Sequence, residues 1–393
     1  MTPEIELLLY CSPTQITSQQ EEKISQLLHN PALNWQMLLD SAHYHNIAPL
    51  LYWTLNKLNW EGVPEAMRSQ LSLAFQANLS HNFLVTSTLV KVCQYLQDKN
   101  LSIIPFKGSL LATRIYNNIA LRRIRDVDLL VKKEDFFQVK QLLIEQGYYP
   151  YDRLNLAQEK LRLQTNYEDA LVNSETGIKI DIHWGFHPPY FACNIPIDDI
   201  FQRGRMTKIS TTELLDLAAE DLLLVLCLNG AKDGWFELQR VCDIAELLQQ
   251  EMTLNWQELW QRARQFNCAR ILLLGLELAR IFLHSSIPEN MIEEIEKDRT
   301  VKQLSTQIYQ RLVNNTEQEY TLLQRAYFPL QLQRGLKNKL YYSFNLLLPI
   351  NERDLELIIL PRFLFCLYYP LRFIRLPIKY GYAIARKAME KKS

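Results

Sequence analysis

The sequence predicts an α+β protein in which a small mixed-sheet core is inserted between helical N-terminal and C-terminal segments. Three observations carry that expectation. Apolar residues recur at helical spacing through roughly the first hundred positions and again from about Thr211; the stretch between them switches to short period-two runs; and glycine, sparse at 11 residues, marks the turns of that stretch at Gly108, Gly147 and Gly177.

The elements follow in order. From Glu4 to about Asn100 the spacing is helical, as in Ile24, Leu27 and Leu28 and later in Leu84, Leu89, Val90, Val92, Cys93 and Leu96. The pattern breaks at Leu101–Phe106, a β-type run that ends at Lys107-Gly108-Ser109 and leads into a helix over Leu110–Tyr116. Arg125–Val131 is the next strand, and a helix from about Lys133 to Gln146 follows, ended by Gly147 in a left-handed cap. Tyr167–Asn173 and Ile178–Trp184 flank Ser174-Glu175-Thr176-Gly177, which is hairpin chemistry. Helical spacing then returns over Leu214–Asn229, Leu238–Leu248, Trp256–Phe266 and Ala269–Phe282, and Pro288 starts a further helix. The expected division is a helical segment over 1–100, an α/β core over 101–205, a helical bundle over 206–330 and a basic amphipathic helical segment over 331–393.

Composition narrows the function. An apolar share of 48% in 393 residues supports a sizeable core in more than one structural unit. Seven cysteines, at 11, 93, 193, 227, 242, 268 and 366, lack any ligand spacing and read as reduced thiols of a cytosolic protein. The start, MTPEIELLLYCSP, has two acids and no basic residue before its short apolar run, unlike a secretory signal, so the expected location is cytoplasmic. The net charge of zero hides an asymmetry: residues 361–393 hold eight Lys/Arg against Glu390 alone, and the other 360 are net acidic by seven. An acidic body argues against general nucleic-acid binding, which needs a basic face. Pro361, Arg362 and Pro370 interrupt the apolar run there too often for a membrane span. Packing or a partner contact is expected of that segment, with a peripheral place at the inner face of the membrane as the alternative.

The chemistry concentrates in the core. Side chains two apart on a strand share a face, so Asp126 and Asp128 point together while Val127 and Leu129 point into the core. Such a carboxylate pair repels itself unless a cation lies between, and hard oxygen donors favour Mg²⁺ or Mn²⁺. Lys179-Ile180-Asp181-Ile182-His183 alternates in the same way, which makes Asp181 a third carboxylate if its strand lies beside the first. Lys107-Gly108-Ser109, at the start of a helix, offers backbone N–H groups and the positive helix end to a phosphate. Arg122, Arg123 and Arg125 precede the acids, and one of the three is expected to face the site.

The stretch KGSLLATRIYNNIALRRIRDVDLLV together with KIDIHW resembles the nucleotidyltransferases of the DNA polymerase beta superfamily. More narrowly, it resembles an uncharacterised bacterial branch often found near natural-product or polysaccharide genes. The resemblance continues through EDLLLVLCLNGAKDGWFELQRVCDIAELL, where Lys232, Trp235, Arg240 and Asp243 fall on recurring positions, and it covers about residues 30–290. It implies that Gly108 and Ser109 contact a triphosphate and that Asp126, Asp128 and Asp181 hold two Mg²⁺ ions. The implied reaction moves a nucleoside monophosphate, AMP first among them, from NTP to a hydroxyl of a small-molecule or peptide acceptor. Asn229 stands where that branch usually has a histidine, and the path from Ser109 to the acid pair is longer than in antibiotic-modifying relatives.

Alternatives stay open beside this reading. Lys107 is a phosphate contact or an ordinary strand-end lysine, and His183 is a substrate contact or a structural hydrogen-bonding residue. Lys232 and Asp243 are substrate contacts or a pair on the bundle surface. The whole chain could instead be an inactive nucleotide-binding scaffold, or a membrane-peripheral enzyme acting on a cell-envelope substrate.

Overall fold

A computed structural model describes residues 1–347, apart from 153, 210, 252 and 315–321, together with 364 and 367. The remainder of the basic 361–393 stretch, with its expected membrane or partner contact, lies outside the described residues. Five helices open the chain: α1 (Pro3–Tyr10), α2 (Ser18–Leu28), α3 (Trp35–Tyr44), α4 (Ala48–Lys57) and α5 (Glu65–Asp98). Thr17 and Gln20 form a reciprocal capping box at the start of α2, and the Asn34 side chain caps α3 by accepting from the Met37 N–H.

At 34 residues, α5 is about 50 Å long and serves two cores. Its first part, through Met67 and Leu71, joins the helical core, while Val85, Leu89, Val92, Cys93 and Leu96 pack under the sheet. A polar stripe runs along it at Asn78, Asn82 and Thr86, one helical turn apart. The Asn78 amide donates to the Ala120 carbonyl (2.8 Å), and Asn82, fully buried, donates to the carbonyls of Ile119 (2.5 Å) and Arg122 (2.9 Å). The stripe pins the loop that carries Arg122, Arg123 and Arg125.

The sheet follows: β1 (Ile103–Pro105), α6 (Gly108–Tyr116), β2 (Val127–Val131), α7 (Phe136–Glu145), β3 (Tyr148–Pro150), α8 (Leu156–Thr165), β4 (Glu168–Asn173) and β5 (Lys179–His183). Strand order is β1-β2-β5-β4-β3, with β2 and β5 parallel and every other pair antiparallel. Gly147 adopts φ +86°, the left-handed cap expected of it after α7. One face of the sheet (Val127, Leu129, Val131, Ile180, Ile182, Trp184) packs on α5 and on Phe136, Val139 and Leu143 of α7. The opposite face meets the helical core through Ile104, Phe106 and Leu130, and this is the face that bears Asp126, Asp128, Asp181 and His183.

Two departures from the sequence expectation stand here. Tyr148–Pro150 adds a fifth strand on the β4 edge, and α8 fills a stretch for which the pattern gave nothing. The helix expected from Leu214 begins only at Ala219, because β6 (Arg205–Ile209) and β7 (Thr212–Asp216) form a separate hairpin after α9 (Ile197–Arg203). Leu214 is buried in the sheet-side core, and Gln94 and Gln97 of α5 donate to Thr212 Oγ1 (2.7 Å) and the Glu213 carbonyl (3.1 Å). Tertiary partners decide strand over helix in a run whose apolar content suits either.

The bundle comprises α10 (Ala219–Lys232), α11 (Leu238–Gln250), α12 (Trp256–Gln265), α13 (Ala269–Leu283), α14 (Glu289–Lys297) and α15 (Arg299–Val313), with α16 (Leu322–Leu332) and α17 (Gly335–Leu347) laid against it. Among the described residues no helix is long and apolar enough to cross a membrane. The core docks onto α11 through a buried triad: Arg122 donates through Nε and Nη2 to the two oxygens of Asp243 (2.9 Å each), and the Tyr116 hydroxyl donates to Oδ1 (2.9 Å). Asp243→Ala strands a guanidinium that is 5% exposed, and is expected to destabilise the protein by about 3–5 kcal/mol in chemical denaturation. The double variant Arg122→Met/Asp243→Leu is expected to recover most of that loss.

Candidate active site

The parallel register sets Asp128 of β2 directly beside Asp181 of β5, and Leu130 beside His183. Asp126 precedes β2 on the same face. Oxygen atoms of Asp128 and Asp181 and a ring nitrogen of His183 lie within 4.8 Å of one another. Asp126 joins them through a cation: Lys179 Nζ sits 2.7 Å from Asp181 Oδ2 and 3.4 Å from Asp126 Oδ2, so one positive charge already bridges two of the acids. On the other side Lys107 Nζ is 3.3 Å and His183 Nε2 2.9 Å from the same Oδ1 of Asp128. His183 Nδ1 lies 3.2 Å from Glu168 Oε2, its cross-strand neighbour on β4.

These contacts set the ionisation of the acids. Burial alone would raise Asp128, but Lys107, the hydrogen bond from His183 and the more distant Lys232 outweigh it and hold Asp128 well below the usual carboxylate range. Burial also raises Asp181, Lys179 pulls it down, and the neighbouring Asp128 and Asp126 push it up again, leaving it at about 6. Two acids abreast are thus driven apart, as expected of like charges sharing a site. The donor set, carboxylate oxygens from two adjacent strands with a third acid reachable by one bridging cation, fits a hard divalent ion such as Mg²⁺ or Mn²⁺. The imidazole suits a supporting place, orienting Asp128 through the 2.9 Å contact.

The acids form the floor of a cleft of about 650 Å³ between sheet and bundle. Gly108 lines it at the start of α6 with φ +53°, where an added Cβ would stand 3.3 Å from the Asp126 carbonyl oxygen. Only glycine lets that helix end come so close to the strand bearing the acids. Ser109 is 2% exposed and its Oγ lies 2.8 Å from Thr86 Oγ1, so this residue offers the cleft its main chain rather than its hydroxyl.

The cations predicted from sequence divide into three groups. Lys107 and Lys232 line the cleft, and Lys232 Nζ is 3.3 Å from the Tyr167 hydroxyl, with burial and then Lys107 lowering its pKa. Arg123 and Arg125 border the cleft as well, so all three arginines reach it where one was expected: Arg125, half exposed at the rim, pairs with Glu237 (2.9 Å), and Arg123 reaches Asn46 (2.8 Å). Arg122 lines the cleft with its guanidinium already committed to Asp243. The suggested surface pair of Lys232 and Asp243 does not form: Asp243 is 1% exposed, because Arg122 and Tyr116 arrive from the sheet side to neutralise it. Sequence reading missed Glu168, Asp233, Glu237 and Phe236 as cleft-side residues, and placed Lys179 on the face of Asp181 without giving it a role. Glu168 could have been found by carrying the alternation from His183 across to its partner strand.

A sheet with acids abreast on its inner strands, beside a glycine-started helix and a cleft that also presents Lys107 and Lys232, has the parts that a phosphoryl-group-transferring enzyme needs. The model of a family described as "Uncharacterised nucleotidyltransferase" matches residues 31–284, and the chain belongs to that family. It is accordingly a nucleotidyltransferase enzyme with a nucleoside triphosphate as substrate. No curated protein and no solved structure matches it. The matched region ends at α13, yet Phe328 and Pro329 of α16 also line the cleft.

Gly108→Ala is expected to cost about 1–2 kcal/mol of stability from its left-handed backbone alone. The displaced Asp126 carbonyl is expected to weaken nucleotide binding at least tenfold, read by calorimetry against a thermal-melt control.

Proposed function

We propose that the enzyme transfers a nucleoside monophosphate, with AMP from ATP the foremost donor group, to a hydroxyl of a small-molecule or peptide acceptor. The observation that carries this reading is the register of Asp128 against Asp181, with Asp126 within reach of the same bridging cation. In the reaction the acceptor oxygen bonds to the α-phosphorus, the bond from that phosphorus to the bridging oxygen of the β-phosphate breaks, and pyrophosphate leaves. Magnesium ions held by Asp126, Asp128 and Asp181, two as in the resembling superfamily and with manganese as the alternative, would supply charge stabilisation on both sides of the reacting phosphorus.

The chain's own groups do the rest. Main-chain N–H groups of Gly108 and Ser109 at the α6 start receive the triphosphate. Lys107 and Lys232 neutralise its oxygens, and Arg125 can exchange Glu237 for phosphate at the rim. Asp181 takes the proton from the acceptor hydroxyl while His183 keeps Asp128 oriented. Lys179, 39% exposed, has room to swing from the acids into solvent as metal arrives. Work in natural-product or polysaccharide assembly, in the cytoplasm, is the setting this reading favours.

The test is calorimetry with ATP, GTP, CTP and UTP, with and without Mg²⁺, on the native protein and on Asp126→Ala/Asp128→Ala. Tight, metal-dependent binding of one nucleotide that the double variant loses by at least a hundredfold is expected. Metal-independent binding, or none, would sink the proposal in favour of a scaffold.

A further inference from the structure

A second cavity of about 460 Å³ lies between α4, α5 and the loop before β2, lined among others by Ala48, Pro49, Ala74 and Ala77. It lies within the size range of small-molecule sites. Its charged and imidazole lining residues are all nitrogen-bearing, namely His43, His81, Arg123 and Arg125, and among the described residues no carboxylate lines it. Arg123 and Arg125 also line the catalytic cleft, so the two cavities meet along these side chains, and Arg125 is the residue next to Asp126.

We infer that this cavity holds the acceptor and that the acceptor is a small hydroxy acid with an apolar tail. The inference rests on the nucleotidyl-transfer reading and names its substrate class. A molecule lying here presents one end to the seam, and that end must carry both the attacking hydroxyl and the anion that the Arg123 guanidinium recognises, Arg125 being left to the nucleotide side. Hydroxyl and carboxylate therefore sit within a few atoms of each other. The other end runs over small side chains that leave space where larger ones would fill it. Leu73, one turn before Ala77 on α5 and 68% exposed, extends the apolar track outward. The lining amides are structural: Asn78 is bonded to the Ala120 carbonyl and Asn46 to Arg123, which keeps further N–H donors beyond that bond. The cavity's selectivity thus comes from cations at the seam and apolar surface along the track.

The probe is 3-hydroxydecanoate, titrated calorimetrically into the full chain and into Ala77→Trp, with methyl 3-hydroxydecanoate as the uncharged comparison. Ala77 is exposed, so the tryptophan occupies the cavity without entering a core, and the Mg²⁺–nucleotide titration serves as the control for folding. Binding of the acid that falls at least tenfold in Ala77→Trp, and at least tenfold for the ester, is expected, with metal-dependent release of pyrophosphate when acid and nucleotide are combined. Equal binding by the variant or by the ester overturns the inference. Nucleotide binding without acid binding overturns it too and leaves the transfer reading standing. Acid binding that depends on Ala77 in a protein that binds no nucleotide removes the transfer reading, and with it the acceptor role of the cavity.

Discussion

Two carboxylates abreast on adjacent parallel strands, at the floor of a cleft between sheet and bundle, are the constraint around which the rest is arranged. Asp128 and Asp181 face each other by backbone register, so no rotamer change separates them far. Their repulsion in a low-dielectric setting needs positive charge at short range. The protein supplies it from three elements, Lys107 after β1, Lys179 on β5 and Lys232 at the end of α10, and the His183 ring adds a hydrogen bond to Asp128. Each of these approaches from a different side, which requires the sheet and the bundle to be docked tightly against one another.

That docking is polar as well as apolar. Arg122 and Tyr116 reach from the core into the bundle to meet Asp243, and Arg114 of α6 bridges Asp216 (2.8 Å) on β7 and Glu251 (2.6 Å) after α11. Buried ion pairs contribute little net stability against apolar substitutes but penalise every misaligned arrangement, because an unpaired buried charge is costly. Here the consequence is positional. The α5 stripe fixes the loop from one side and Asp243 from the other, so the three arginines before the acids have their backbone held before any ligand arrives.

What the sequence made legible follows from how local each signal is. The placement of Asp126, Asp128 and Asp181 on one face came from period-two alternation, a property of the backbone alone. The glycine at the helix start was equally local. Arg122 was ambiguous because three arginines within four positions differ only in what lies opposite them, and Asp243 is 121 residues away. Leu214–Asp216 was misread because its strand character comes from pairing with β6 and from the α5 side chains that hold the start of β7, not from its own spacing. Asn78 and Asn82 carry no periodic signal, because their role lies in the carbonyls of Ile119, Ala120 and Arg122 packed on them. The sheet edge at Tyr148–Pro150 is three residues long, too short for any periodic signal.

The same charge arrangement bears on how substrate and metal would enter. In the cleft as it stands, lysines neutralise the carboxylates, while a metal-bound triphosphate carries its own paired charges. If metal alone displaced Lys107 from Asp128, that largely buried ammonium would lose its partner, whereas the more exposed Lys179 could turn to solvent; if triphosphate alone took the lysines, the acids would be left unbalanced. Arriving together, the two exchange partners: metal would go to carboxylate and Lys107 to phosphate, while Lys179 turns out to solvent. The geometry therefore favours concerted entry of metal and nucleotide, and the mobile element of that exchange is Lys179, the most exposed of the cations that touch the acids.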